Sequence, residues 1–176
     1  TAWQIETALN GLNGTRARLS GRILQSGTLD LNLSGAAPLA LANPFLAPRN
    51  ILGDAVFDLA LRGPAALSSL SGSISTTNGR FSAPNLRTSL ADIAAQVQFT
   101  RENALIDASA NVSSGGRITL RGPVALDTAL AADLAVSLNS VRVVNPTLFD
   151  TRLNGQLNIR GSLIEDALIS GQLDLL

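Results

Sequence analysis

From Arg16 to Leu175 the chain alternates aliphatic and polar residues with a period of two, and an extended strand is the conformation that sends successive side chains to opposite faces. In Gly155-Gln-Leu-Asn-Ile-Arg-Gly161 the residues Gly155, Leu157 and Ile159 point one way and Gln156, Asn158 and Arg160 the other. The same grammar of glycine, alternating aliphatics and closing glycine recurs along the chain. Strands of this kind built side by side give one apolar face and one polar face.

Taken in order, Trp3, Ile5 and Leu9 fit a strand better than a helix. The apolar positions then run through Leu19 and Ile23, Leu29, Leu31 and Leu33, Phe57, Leu59 and Leu61, and Ile74. They continue through Val97 and Phe99, Ile106 and Val112, Ile118 and Leu120, and Leu130, Leu134, Val136 and Leu138, and finish with Leu157, Ile159, Leu173 and Leu175. Turns are predicted at Ser26-Gly27, Asn78-Gly79, Arg101 to Asn103 and Ser114 to Gly116, and strand ends at Gly35, Gly63 and Gly122-Pro123. Residues 36–50 carry Pro38, Pro44 and Pro48 and read as an irregular loop, with a short helix near Phe45, that caps an edge or an apolar end.

Glycines at the starts and ends of strands permit bulges and sharp curvature. The predicted object is all-β, a single segment of residues 1–176 with about 10–12 strands in a strongly curved sheet. Something must cover the apolar face. Each fully buried Leu, Ile, Val or Phe side chain is worth about 1.5–3 kcal/mol, so leaving many of them in water is costly. One solution is self-coverage as a closed β-sandwich; the other is a groove that holds a second apolar object. Hydrophobic residues make up 45% of the chain but aromatics only 3%, so the lining is smooth and aliphatic, which suits the groove.

Several function classes fall away. His, Cys and Lys are all absent, so a serine nucleophile has no ordinary base, and thiolate metal sites and disulfides are excluded. The expectation is a protein that is not an enzyme and takes no cofactor or metal. Asp92, Glu102 and Asp107 could in principle meet as an acid pair or calcium site, but solvated outer-face charges explain them more simply. Arg62, Arg121 and Arg160 each precede a closing glycine and face outward, where they can pair with acids on adjacent strands or meet phosphate head groups. Charge is scattered and sums to zero, with no basic stripe for nucleic acid. The longest apolar stretch, residues 36–48, is broken by prolines and is shorter than the roughly 20 residues of a spanning helix. The start lacks Met and an export signal, as in a piece of a longer protein.

At Leu61-Arg-Gly-Pro64, Leu120 to Asp127 and Gly155 to Ser162, and in the run from Gly79-Arg-Phe81 through Ala83-Pro84 to Gly115-Gly116, the sequence resembles the C-terminal region of the TamB family, relatives of AsmA-like lipid-transport bridges. The resemblance implies a folded-over sheet, a β-taco, with a hydrophobic groove. It also implies a periplasmic segment of an inner-membrane-anchored protein of a Gram-negative bacterium that contacts phospholipid acyl chains and an Omp85-type outer-membrane barrel protein (TamA-like). Implied roles are phospholipid transport to the outer membrane and support of outer-membrane protein assembly. The family carries no catalytic residues over. Two alternatives stay open: a scaffold that pairs strands of outer-membrane protein clients along an open edge, and a purely structural β module.

Overall fold

A computed structural model describes residues 2–11, 14–83, 88–145 and 149–176. Pro84 and Pro146, at which turns fall in the sequence, lie outside the described residues. Within them the chain forms β1 (Ala2–Asn10), β2 (Arg16–Leu24), β3 (Leu29–Pro38), α1 (Asn43–Leu46), β4 (Asn50–Leu52), β5 (Asp54–Gly63) and β6 (Leu70–Ser82). There follow β7 (Ser89–Phe99), β8 (Asn103–Val112), β9 (Arg117–Ala125), β10 (Ala131–Asn145), β11 (Phe149–Ser162) and β12 (Ala167–Leu175). These make one antiparallel sheet whose spatial order is the chain order, except that the short β4 pairs off the path with the end of β6. Tight turns link most neighbours, as between Leu24 and Thr28, where the Leu24 N–H donates to the Thr28 carbonyl at 2.9 Å.

The sheet is open, because β1 and β12 each have a strand on one side only among the described residues. A closed β-sandwich is therefore not the architecture; a single sheet runs unbroken from first strand to last. The most buried cluster, Val124, Ala132 and Leu134, sits on β9 and β10 with Ile106, Leu120, Leu130 and Ile159 packed against it. No large side chain among the described residues is wholly buried, which differs from the dry core that two interdigitated sheets would make.

Four local expectations give way to the structure. Asn78-Gly79 is not a hairpin turn but an irregularity inside β6, where the register to β7 shifts on both sides of Gly79. The strand continues because its far end has two partners, β4 and β7. Next, β3 runs past Gly35 to Pro38, which pairs with Asp54 of β5; proline is tolerated there as the last residue of the ladder. Likewise β9 runs through Gly122-Pro123 to Ala125. Its pairing to β8 is continuous, while the ladder to β10 skips from Val124 to Arg121, so the break falls opposite the residue that lacks an N–H.

The fourth concerns glycine. Gly21, Gly35, Gly122, Gly155, Gly161 and Gly171 lie within strands rather than at their limits. The physical reason is close backbone approach: a Cβ on Gly122 would stand 2.1 Å from the Asp133 carbonyl oxygen, and one on Gly21 would stand 2.0 Å from that of Asp30. Both have positive φ, 145° in each case.

Residues 36–50 are more ordered than a plain loop. After β3 come a 3-10 turn at Leu39–Ala42 and then α1. Asn43 clamps the return, with its Oδ1 accepting from the Ile51 N–H at 2.7 Å and its Nδ2 donating to the Ile51 carbonyl at 3.1 Å. A side-chain amide thus imitates a backbone partner and holds β4 against the end of β6.

Candidate functional site: one continuous aliphatic face

Antiparallel partners share a face, so the register says which side chains lie together. Starting at Leu134, the cross-strand row runs to Ile159 on β11 and Ile169 on β12. From Val136 another row runs to Leu120 on β9, Ala108 on β8 and Ala95 on β7. Ile106 pairs with Val97, Val97 with Ile74, and Ile74 with Phe57. Farther on, Leu59 pairs with Leu33, Leu33 with Leu19, Leu61 with Leu31, and Leu29 with Ile23, which meets Trp3 on β1. Phe99, Val112, Ile118, Leu138, Leu157, Leu173 and Leu175 fall on the same side through their partners Ala104, Leu90, Ala110, Gly155, Gly171 and Leu153. Leu130 is the exception: it sits in the turn before β10 with positive φ and packs onto the buried cluster from there.

Burial along this face is uneven. Leu134 is 5% exposed and Val112 6%, whereas Leu173 is 43% and Leu175 72% exposed on the last strand. The aliphatic surface is therefore dry in the middle of the sheet and wet at its ends. Val124, Val141 and Leu153 belong to the same face and were not singled out in the sequence. Val124 hides behind Pro123, which reads as a strand end. Val141 follows a bulge between Leu138 and Val141 that resets the count by one residue; nothing in a period-two pattern announces such an insertion.

Three non-glycine residues with positive φ are Asp92, Leu130 and Ser140, two of them at bulges. Asp92 lies between Ala91 and Ala94 and accepts from the Asn111 side chain at 3.1 Å. The Ser140 N–H donates to Asn154 Oδ1 at 2.6 Å, which satisfies a backbone group the bulge takes out of the ladder.

The polar face is laced by cross-strand ion pairs. Asp30 is flanked by Arg22 at 3.3 Å and Arg62 at 3.4 Å; Arg121 meets Asp107 at 3.1 Å and Arg160 meets Asp133 at 3.0 Å. The three arginines that precede glycines are thus neutralised by acids on neighbouring strands. Each such pair is exposed and worth about 0.2–1 kcal/mol, more a marker of register than a source of stability. Arg142 and Asp150 form a further two-pronged pair. The Arg142 hydrogen bond holds the Asp150 carboxyl below its ordinary range, and the same bond raises the Arg142 guanidinium. Asp92, Glu102 and Asp107 do not converge, and no cluster of metal-ligating side chains occurs among the described residues. No helix of the described residues is long and apolar enough to cross a membrane.

An open antiparallel meander with one continuous aliphatic side and one ion-paired polar side defines a β-sheet scaffold of the kind that presents an apolar surface. The family model of the TamB C-terminal domain matches residues 6–176, and the chain belongs to the TamB family. Membership links it to the outer-membrane assembly system of the bacterial envelope. No curated protein and no solved structure matched the chain.

Proposed function

We propose that the aliphatic face lines a groove in a folded-over sheet, a β-taco, and that phospholipid acyl chains lie along it while head groups stay in water. The segment then forms part of an inner-membrane-anchored periplasmic bridge that carries phospholipids between the two membranes. It meets an Omp85-type barrel protein at the outer membrane and supports outer-membrane protein assembly. It acts by binding, without catalysis, cofactor or metal. The observation that carries this reading is that one aliphatic side runs through every strand from β1 to β12 while no large side chain among the described residues is wholly buried. Such a surface is unsatisfied by its own fold and is held open to apolar material.

The test places a charge on that side. Leu157 is partly buried beside Gly171, and Leu157→Arg sets a guanidinium where chains would lie, at a cost of several kcal/mol. Phospholipid co-purified with the chain, measured by mass spectrometry, should fall about tenfold for a loss of about 1.4 kcal/mol, with the circular dichroism spectrum unchanged. Leu134→Arg tests the same point in the buried cluster. Normal lipid loading in both folded variants would overturn the groove. A second reading, strand addition by an outer-membrane protein client, draws on the unpaired outer side of β1; it calls for client crosslinks along β1 and none on the aliphatic side.

A further inference from the structure

Among the described residues β12 has no strand on its outer side, and it is exposed from end to end. Natural sheets blunt such an edge with proline, a bulge or inward-pointing charge. None of these devices is present: β12 reads Ala167-Leu-Ile-Ser-Gly-Gln-Leu-Asp-Leu175 and pairs with β11 without a register shift. Leu168, Ile169, Leu173 and Leu175 are all exposed large aliphatics.

The backbone phase of this edge is fixed. Arg152 and Leu176 exchange both backbone hydrogen bonds, at 3.3 and 2.9 Å. Successive residues of a strand aim their N–H and C=O to opposite sides, so Asp174, Gln172, Ser170 and Leu168 spend theirs on β11. The outward groups belong to Ala167, Ile169, Gly171, Leu173 and Leu175. These same five residues carry the aliphatic face, because Gly171 is the partner of Leu157 and Ile169 of Ile159.

We infer that β12 pairs antiparallel with β12 of a second copy of this chain, about a two-fold axis at Gly171. In that register Gly171 meets Gly171, Ile169 meets Leu173, and Ala167 meets Leu175, each as a hydrogen-bonded pair using only groups left free by β11. Ser170 meets Gln172 and Leu168 meets Asp174 on the polar side. Every aliphatic side chain on the inner face finds an aliphatic one, all nine residues of the strand are engaged, and no like charges come opposite. The other edge lacks this symmetry: full overlap of β1 with itself, residues Ala2–Asn10, sets Glu6 against Glu6, which is unfavourable. The pairing closes as a dimer rather than running on as a fibre, and it joins the aliphatic faces of two copies into one. It does not depend on whether that face carries lipid.

Two measurements on the 176-residue chain test it. In sedimentation the chain should be dimeric at micromolar concentration, and Leu173→Pro should weaken the dimer at least tenfold. The N–H removed points outward and leaves the β11 ladder intact, and proline is tolerated on an edge. The chain has no cysteine, so Ser170→Cys and Gln172→Cys variants can also be prepared separately, mixed and oxidised. A disulfide should form in the mixture and not in either variant alone. A monomer at all concentrations overturns the inference, as does a dimer indifferent to Leu173→Pro. Crosslinking as efficient within one variant as in the mixture, or pairing with a client strand in place of self-association, would do the same.

Discussion

Gly122 and Gly27 both have positive φ, but they answer to different constraints. Gly27, φ 80°, has open space around the position of a Cβ, whereas at Gly122 that atom would collide with the Asp133 carbonyl. Gly27→Ala should therefore cost about 1–2 kcal/mol from backbone conformation alone. Gly122→Ala has to move a neighbouring strand as well and should cost more, a difference that urea melts of the two variants would read directly. The Arg142–Asp150 pair gives a pH dependence of known sign. Because the folded-state pKa of Asp150 is lowered, the pair's contribution is present above the ordinary carboxylate pKa and is lost as pH falls through the lower folded value, below about pH 4. Asp150→Asn should flatten that part of the acid melting profile and leave stability near neutrality little changed, since both partners are exposed.

At the scale of the element, the alternation in β5, β8 and β11 was enough to assign both faces, because each of these strands keeps its count without interruption. What the sequence hid were departures from the count. The bulges at Asp92 and Ser140, the passage of β9 through Pro123 and the continuation of β6 through Asn78-Gly79 are all settled by a partner strand rather than by local propensity. A two-residue turn signal loses to a strand flanked on both sides, since unmaking two ladders exposes more backbone than one favoured turn saves. The aliphatic side residues were legible as a set, while their unequal burial was not, because burial depends on distance from the sheet's ends. That inequality predicts unequal costs. Leu134→Ala should destabilise by about 2–5 kcal/mol, as for a packed core leucine, while Leu175→Ala should change stability by no more than about 0.5 kcal/mol. Chemical denaturation of the two variants separates them.

For the whole molecule, the open sheet decides between the two ways of covering an apolar face that the sequence left available. With no second sheet to pack against, the aliphatic side is covered only where neighbouring strands crowd it, around Val124, Ala132 and Leu134. Hydrogen exchange should mirror this, with slow amides in β8 to β10 and fast ones in β1 and β12. Protection as strong at the two ends as in the centre would mean the ends are covered in solution. Dilution into the monomeric range separates self-pairing, which then loses protection in β12, from a covering that lies within one chain.

The order of strands in the sheet is, apart from β4, their order along the chain. A chain held at its two ends is thus held at the two outermost rows of hydrogen bonds. Tension applied there opens one row at a time, like a zipper, rather than shearing many rows at once. The sheet should give way strand by strand under low force and re-form by the same route, because each returning strand closes only a short loop onto a neighbour already in place. Such a sheet yields to stretching from its margins inward and leaves its central strands standing until last.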